Sequence, residues 1–271
     1  MAISATAGSA PKSASLAGLR VALARSAEEF NSPAPHLRAL GAELAYYPCL
    51  ELLPPDNLAE LDRCLHECAA ANIDWLVFTT ASSVIAVAER LEALNLAQPN
   101  LKCARIAAYG SNTRAAVHDL LHFDEILPET YSHHELVKAM KLAPGARVLV
   151  PLPAGTRADW PVIMADYKAQ VVPVTAYRAV MGQGGHELPA MLWSGDVDGI
   201  VFTSEDNVRY FSKRLKYEGG SLSMLDDVTV ACIDPQTAAA ARSLGLRVTV
   251  VPHTHSPRAL AEALATHLTT R

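Results

Sequence analysis

The chain has 271 residues, 50% hydrophobic and 19% charged, with a formal net charge of −5. That is enough for one large domain or two ordinary ones, each with its own core, and it argues against wholesale disorder. With an acidic balance, no lysine–arginine run and no stretch of about 18 apolar residues, neither nucleic acid nor a membrane is expected as a partner.

Met1 to Ser15 is rich in alanine and serine and reads as a flexible arm. It lacks the apolar core of a secretion signal, so a cytoplasmic protein is expected. Arg20–Ala24 reads as a short strand, followed by helical spacing that ends near Ala39–Gly41 and a strand at Glu43–Tyr47. Trp75–Thr79 and Ala104–Tyr109 are continuous apolar runs, as strands buried on both faces should be. Arg114–Leu121 is a helix rich in alanine and leucine. The same series then recurs: strands at Arg147–Val150, Gln170–Val174, Gly199–Thr203 and Val228–Ile233, and a helix at Ala238–Leu244.

The recurrence is regular. At an offset of 124 residues, Phe78 falls on Phe202, Thr79 on Thr203, Thr113 on Thr237, Pro128 on Pro252 and Ser132 on Ser256. An earlier, weaker match at 127 residues places Arg20-Val21 on Arg147-Val148. Such a period is too long for a solenoid and fits two copies of one α/β unit. Strand–helix alternation predicts mainly parallel sheets with helices on both faces.

In such sheets, ligands bind beyond the carboxyl ends of the strands. The turns there are Thr79-Thr80-Ala81-Ser82-Ser83, Gly110-Ser111-Asn112-Thr113, Thr203-Ser204-Glu205-Asp206-Asn207 and Asp234-Pro235-Gln236-Thr237. Their hydroxyls suit helix capping, and the helix starts beside them attract anions. Both uses are compatible, because a cap leaves other N–H groups for a ligand.

No dinucleotide fingerprint, P-loop or nucleophile elbow is present. The five cysteines (Cys49, Cys64, Cys68, Cys103 and Cys232) are odd in number and scattered, which fits free thiols. Cys64 and Cys68 lack a second ligand pair. His133-His134 and His253-x-His255 read as surface loops, and no metal site is expected. The residues alone point to a cleft that binds an anionic ligand.

Several segments, taken in order, resemble the uroporphyrinogen-III synthase family. They are Arg20–Arg25, Val77-Phe-Thr-Thr80 with Val201-Phe-Thr-Ser204, Ile106–Thr113 with Val230–Thr237, Val148–Pro151 with Arg157, and Val172–Arg178. The resemblance runs from about Leu19 to Leu268. It implies two similar α/β lobes joined by two strand-like linkers, with a cleft between. Residues 16–50 plus 178–271 would form the first lobe and 51–177 the second, with a monomer expected. It also implies cyclisation of hydroxymethylbilane, a linear tetrapyrrole with eight carboxylates, to uroporphyrinogen III. The last ring inverts, water is lost and no cofactor is used.

Carried onto this chain, the family pattern makes Tyr177 the donor to the departing hydroxyl. Substrate binding would fall to Arg25, Thr79, Thr80, Ser82, Ser83, Gly110, Thr113, Arg157, Thr203, Ser204 and Thr237. The chain departs from the pattern at Asp234, where glycine is usual, and at Leu152, where arginine is common. Those departures keep open a second reading, a non-catalytic two-lobed module that binds a tetrapyrrole or another polyanion. A periplasmic solute receptor shares the two-lobe plan, but the missing signal argues against it.

Overall fold

The computed structural model describes residues 14–25, 32–96, 104–123, 132–156 and 159–270. The first part runs β1 (Arg20–Leu23), α1 (Ala34–Ala39), β2 (Glu43–Tyr46), β3 (Leu50–Leu53), α2 (Ala59–Ala69), β4 (Trp75–Phe78), α3 (Ala81–Ala93), β5 (Arg105–Ala108), α4 (Ser111–Leu121) and α5 (His133–Met140). It continues with β6 (Arg147–Pro153), α6 (Trp160–Ile163), β7 (Gln170–Met181), α7 (Leu188–Trp193), β8 (Gly199–Phe202), α8 (Glu205–Tyr217), β9 (Thr229–Cys232), α9 (Pro235–Ser243), β10 (Val248–Val250) and α10 (Pro257–Thr269). Most of the proposed arm, together with Cys103, Pro128 and Arg157, lies outside the described residues.

The strands form two five-stranded sheets, ordered β10-β9-β8-β1-β2 and β3-β7-β6-β4-β5. Every pairing is parallel except β3 with β7. Helices cover both faces of each sheet, which is why β4, β8 and β9 are buried at every residue rather than alternating. In the first lobe Ala22 and Ile200 face one apolar cluster, while Val21, Leu23 and Val201 face the other. The repeated phenylalanines Phe78 and Phe202 are fully buried at matching positions of the two lobes. Truncating either to alanine would cost about 3–5 kcal/mol.

The sequence repeats and the lobes are not the same units. One copy runs from β1 to α5 and the other from β6 to α10. Strands β1 and β2 of the first copy join β8 and β9 of the second, while β4 and β5 of the first join β6 and β7 of the second. With β10 and β3 counted, the first lobe takes two strands from the first copy and three from the second, and the second lobe takes three and two.

The chain passes between lobes through β3 and β7, which pair antiparallel with Leu50 opposite Met181 and Leu53 opposite Arg178. Arg214 of α8 fastens this passage. Its guanidinium donates to Pro48 O at 2.6 Å and Gly184 O at 2.7 Å, one carbonyl from each linker. It also bonds Glu218 and lies 3.9 Å from the centre of the Tyr47 ring. The Tyr47 hydroxyl donates to Glu218 at 2.6 Å, and burial holds this phenol well above its ordinary pKa. Gly182 is required beside them, because a Cβ there would meet Pro48 O at 2.5 Å.

Candidate active site

A cleft of about 1730 Å³ lies between the lobes. Four turns from strand directly into helix line it: those that open α3 and α4 in the second lobe and α8 and α9 in the first. In each case a buried parallel strand ends and the chain turns directly into a helix. Three of the helices carry side-chain caps. Thr80 Oγ1 accepts from Ser83 N at 3.1 Å, Ser204 Oγ from Asn207 N at 3.1 Å, and Asp234 Oδ1 from Thr237 N at 2.7 Å. Each cap takes one first-turn N–H and leaves others outside the helical ladder. The fourth helix, α4, begins at Gly110, which has φ +79° and no side chain to offer. The backbone can approach a ligand closely there.

The expected site residues separate into groups. Thr79, Thr80, Ser82, Gly110, Thr113, Ser204 and Thr237 line the cleft. Thr113 and Thr237 are nonetheless buried. Arg25 and Thr203 line it too, buried and bonded to each other at 2.8 Å. Thr203 Oγ1 also donates to Asn207 Oδ1 at 2.8 Å, so its hydroxyl serves the lobe itself. Ser83 does not reach the cleft wall. It is fully buried and its hydroxyl donates to Thr80 O at 2.7 Å. Asp234 faces the cleft and caps α9 at once. Arg157 lies outside the described residues.

Tyr177 sits one layer beneath the wall. It is 1% exposed, and its hydroxyl lies 3.2 Å from Thr80 Oγ1, with Ser82 as a second partner. Burial pushes the phenol up to about 12, opposed by these two hydroxyls. It is protonated across the working range of pH, and its hydroxyl can donate or accept.

Several lining residues stand outside the expected set. Asn112 Nδ2 donates across the cleft to Thr203 O at 3.3 Å. Tyr109, His133 and Trp160 form an aromatic wall on the second lobe. Position just after β5 could have singled out Tyr109, whereas nothing local marks the other two. His133 is not on a surface loop; it opens α5 and is half-buried, while His134 is exposed.

Electrostatically the cleft is unusual for an anion site. Its described lining includes seven carboxylate residues and two arginines, Arg25 and Arg209. Burial raises the pKa of Glu205 and of Asp206, although Arg209 lies 2.9 Å from the first and 3.7 Å from the second. Positive potential must come mainly from main-chain amides. Among the described residues no cluster of three His, Cys, Asp or Glu side chains could hold a metal. Cys64 and Cys68 pack into the core. No described helix is long and apolar enough to cross a membrane.

Comparison with known proteins agrees with this architecture. The family described as uroporphyrinogen-III synthase HemD matches residues 32–262. A uroporphyrinogen-III synthase from Synechococcus elongatus is 29% identical over 240 residues, covering 87% of this chain and 90% of that protein. A porphyrin biosynthesis protein HemD from Ruminiclostridium josui is 25% identical over 240 residues, and the match spans 87% of this chain but only 46% of that protein. Among solved structures, a mutant uroporphyrinogen III synthase from the extreme thermophile Thermus thermophilus superposes with a TM-score of 0.64 at 19% identity, covering 94% of this chain and 100% of that one. A uroporphyrinogen-III synthetase from Helicobacter pylori gives 0.50 at 14% identity, covering 93% and 100%; both likenesses speak to the fold. With the family match spanning most of its length, this chain belongs to the uroporphyrinogen-III synthase family of enzymes.

Proposed function

We propose that the protein cyclises hydroxymethylbilane to uroporphyrinogen III with inversion of the terminal ring and loss of water. The observation that carries this reading is the convergence of four helix starts on one cleft. A flexible polyanion is held there by N–H groups and hydroxyls, each charge-assisted bond contributing about 1.5–3 kcal/mol. Thr79, Thr80, Ser82, Gly110, Thr113, Ser204 and Thr237 border the bound carboxylates. Arg25 contributes through its charge, while Thr203 and Ser83 shape the turns. The two lobes are residues 16–50 plus 178–271 and residues 51–177.

The chemistry needs little else. The C–O bond of the hydroxymethyl group breaks, and its oxygen leaves as water after taking a proton. The substituted α-carbon of the far terminal pyrrole attacks the resulting cation with its electron pair, giving a spiro intermediate. The bond from that carbon to its neighbouring bridge then breaks. The freed bridge cation is taken by the ring's unsubstituted α-carbon, which loses a proton that restores the phenol left deprotonated in the first step. Tyr177 supplies the first proton through the hydroxyls of Thr80 and Ser82, which stand between it and the cleft. The protein's main contribution is to hold the chain in the one shape that favours the substituted carbon.

The test is to supply hydroxymethylbilane and separate the type I and type III porphyrins after oxidation. Type III as the main product is the expected result. Type I alone, at the uncatalysed rate, would leave the second reading, a module that binds without turnover. The carboxylates of Glu205, Asp206 and Asp234 on the first-lobe wall are what favour that alternative.

A further inference from the structure

Tyr109, His133 and Trp160 come from three different elements and meet only in the fold. Tyr109 follows β5, His133 opens α5 and Trp160 opens α6. The ring centres of Tyr109 and His133 are 4.5 Å apart, and those of His133 and Trp160 are 4.8 Å apart. Trp160 is 5% exposed and anchored in the second-lobe core, so it backs His133. Tyr109 and His133 are only half-buried, and Leu152 and Ile163 border the wall on the same cleft.

We propose that this wall is the subsite for the face of one pyrrole ring of the substrate, a deepening that rests on the cyclase reading above. A pyrrole is a flat, electron-rich ring, and such rings stack on aromatic surfaces in offset or tilted arrangements. Burial lowers the His133 pKa, with the neighbouring His134 acting in the same direction, so its imidazole is neutral at neutral pH and presents an aromatic face. The chain continues from Tyr109 into Gly110 and the first turn of α4, which carries no side-chain cap. A ring on the wall therefore has its acidic arms beside the N–H groups of a helix start. Flat aromatic centre and acidic arms are the two chemical features of each unit of the bilane. The wall thus fixes where one ring lies, and the helix start fixes how that ring is turned.

The test titrates uroporphyrinogen III, under anaerobic reducing conditions, into wild type, His133→Ala, His133→Phe and Tyr109→Ala. Circular dichroism confirms that each variant is folded. His133 ring protons, assigned by their absence in His133→Phe, are followed by NMR. Expected are an upfield ring-current shift of the His133 protons and binding about five- to tenfold weaker in both alanine variants. His133→Phe should bind close to wild type, because it keeps the aromatic face. Butanetetracarboxylate, a polyanion without rings, should leave the His133 protons unmoved. An unshifted His133 at saturation, or wild-type affinity in His133→Ala, overturns the subsite. Failure of the cyclase reading shows separately, as an absence of type III product from wild type.

Discussion

The Tyr177 hydroxyl lies 3.2 Å from Thr80 Oγ1, which ties the buried phenol to the residue that caps α3 at the cleft. Replacing Tyr177 by phenylalanine keeps the packing and removes the proton. Turnover should fall about 100-fold with little change in KM, as for loss of a general acid. Thr80→Val should lower turnover as well, while also weakening α3 by roughly 1 kcal/mol through the lost cap. Steady-state kinetics of both variants, with thermal melts, checks this. Wild-type turnover in Tyr177→Phe would remove Tyr177 from the mechanism.

Asp234 combines a charge unfavourable to a polyanion with a cap favourable to α9. Asn keeps the cap and drops the charge, so Asp234→Asn should lower KM severalfold and leave stability unchanged. Asp234→Gly should also lower KM, at a cost of a few tenths of a kcal/mol. Higher KM in both variants would mean that the carboxylate serves the substrate directly.

Glu205 and Asp206 have raised pKa values because burial disfavours their charge. On mild acidification they take up protons before ordinary exposed carboxylates do. KM should therefore fall as pH drops from neutral, and the double variant Glu205→Gln, Asp206→Asn should show a low KM with a flatter profile. The same shifts set a stability trend. A carboxyl with a raised folded-state pKa contributes stability below its unfolded value and loses it as pH rises through the folded value. The double variant should thus melt higher than wild type at neutral pH, and by less at acid pH. Melting curves across pH, alongside the KM profile, decide it.

Arg214→Met should cost about 2–3 kcal/mol, because it strands two linker carbonyls and leaves the Glu218 carboxylate with Tyr47 alone. A lowered urea midpoint is the direct measure. Easier proteolysis at the Pro48 and Gly184 segments would locate the loss in the linkers.

Much of the fold could be read from residue patterns. Strands β4 and β8 stood out as uninterrupted apolar runs, since burial on both faces leaves no alternation to blur. The hydroxyls at their ends proved to be caps at Thr80 and Ser204, as their residue types favour. What could not be read was direction and distant company. Thr80 and Ser83 are three residues apart, yet one borders the cleft and the other is buried, because Thr80 is the extended cap ahead of α3 while Ser83 lies in its first turn on the face that packs into the core. The depth of Tyr177 depends on how β7 packs under α3. His133 read as a loop residue because the rings that surround it come from elsewhere in the chain.

Because each lobe draws strands from both copies, the segment from β1 to α5 can complete neither lobe alone. Severed between α5 and β6, the molecule would yield two fragments whose partial sheets, and the lone strand β3, find their missing neighbours only in the other fragment. The chain is in effect a tethered dimer of reciprocal halves. Fragment complementation should restore it without a single new contact.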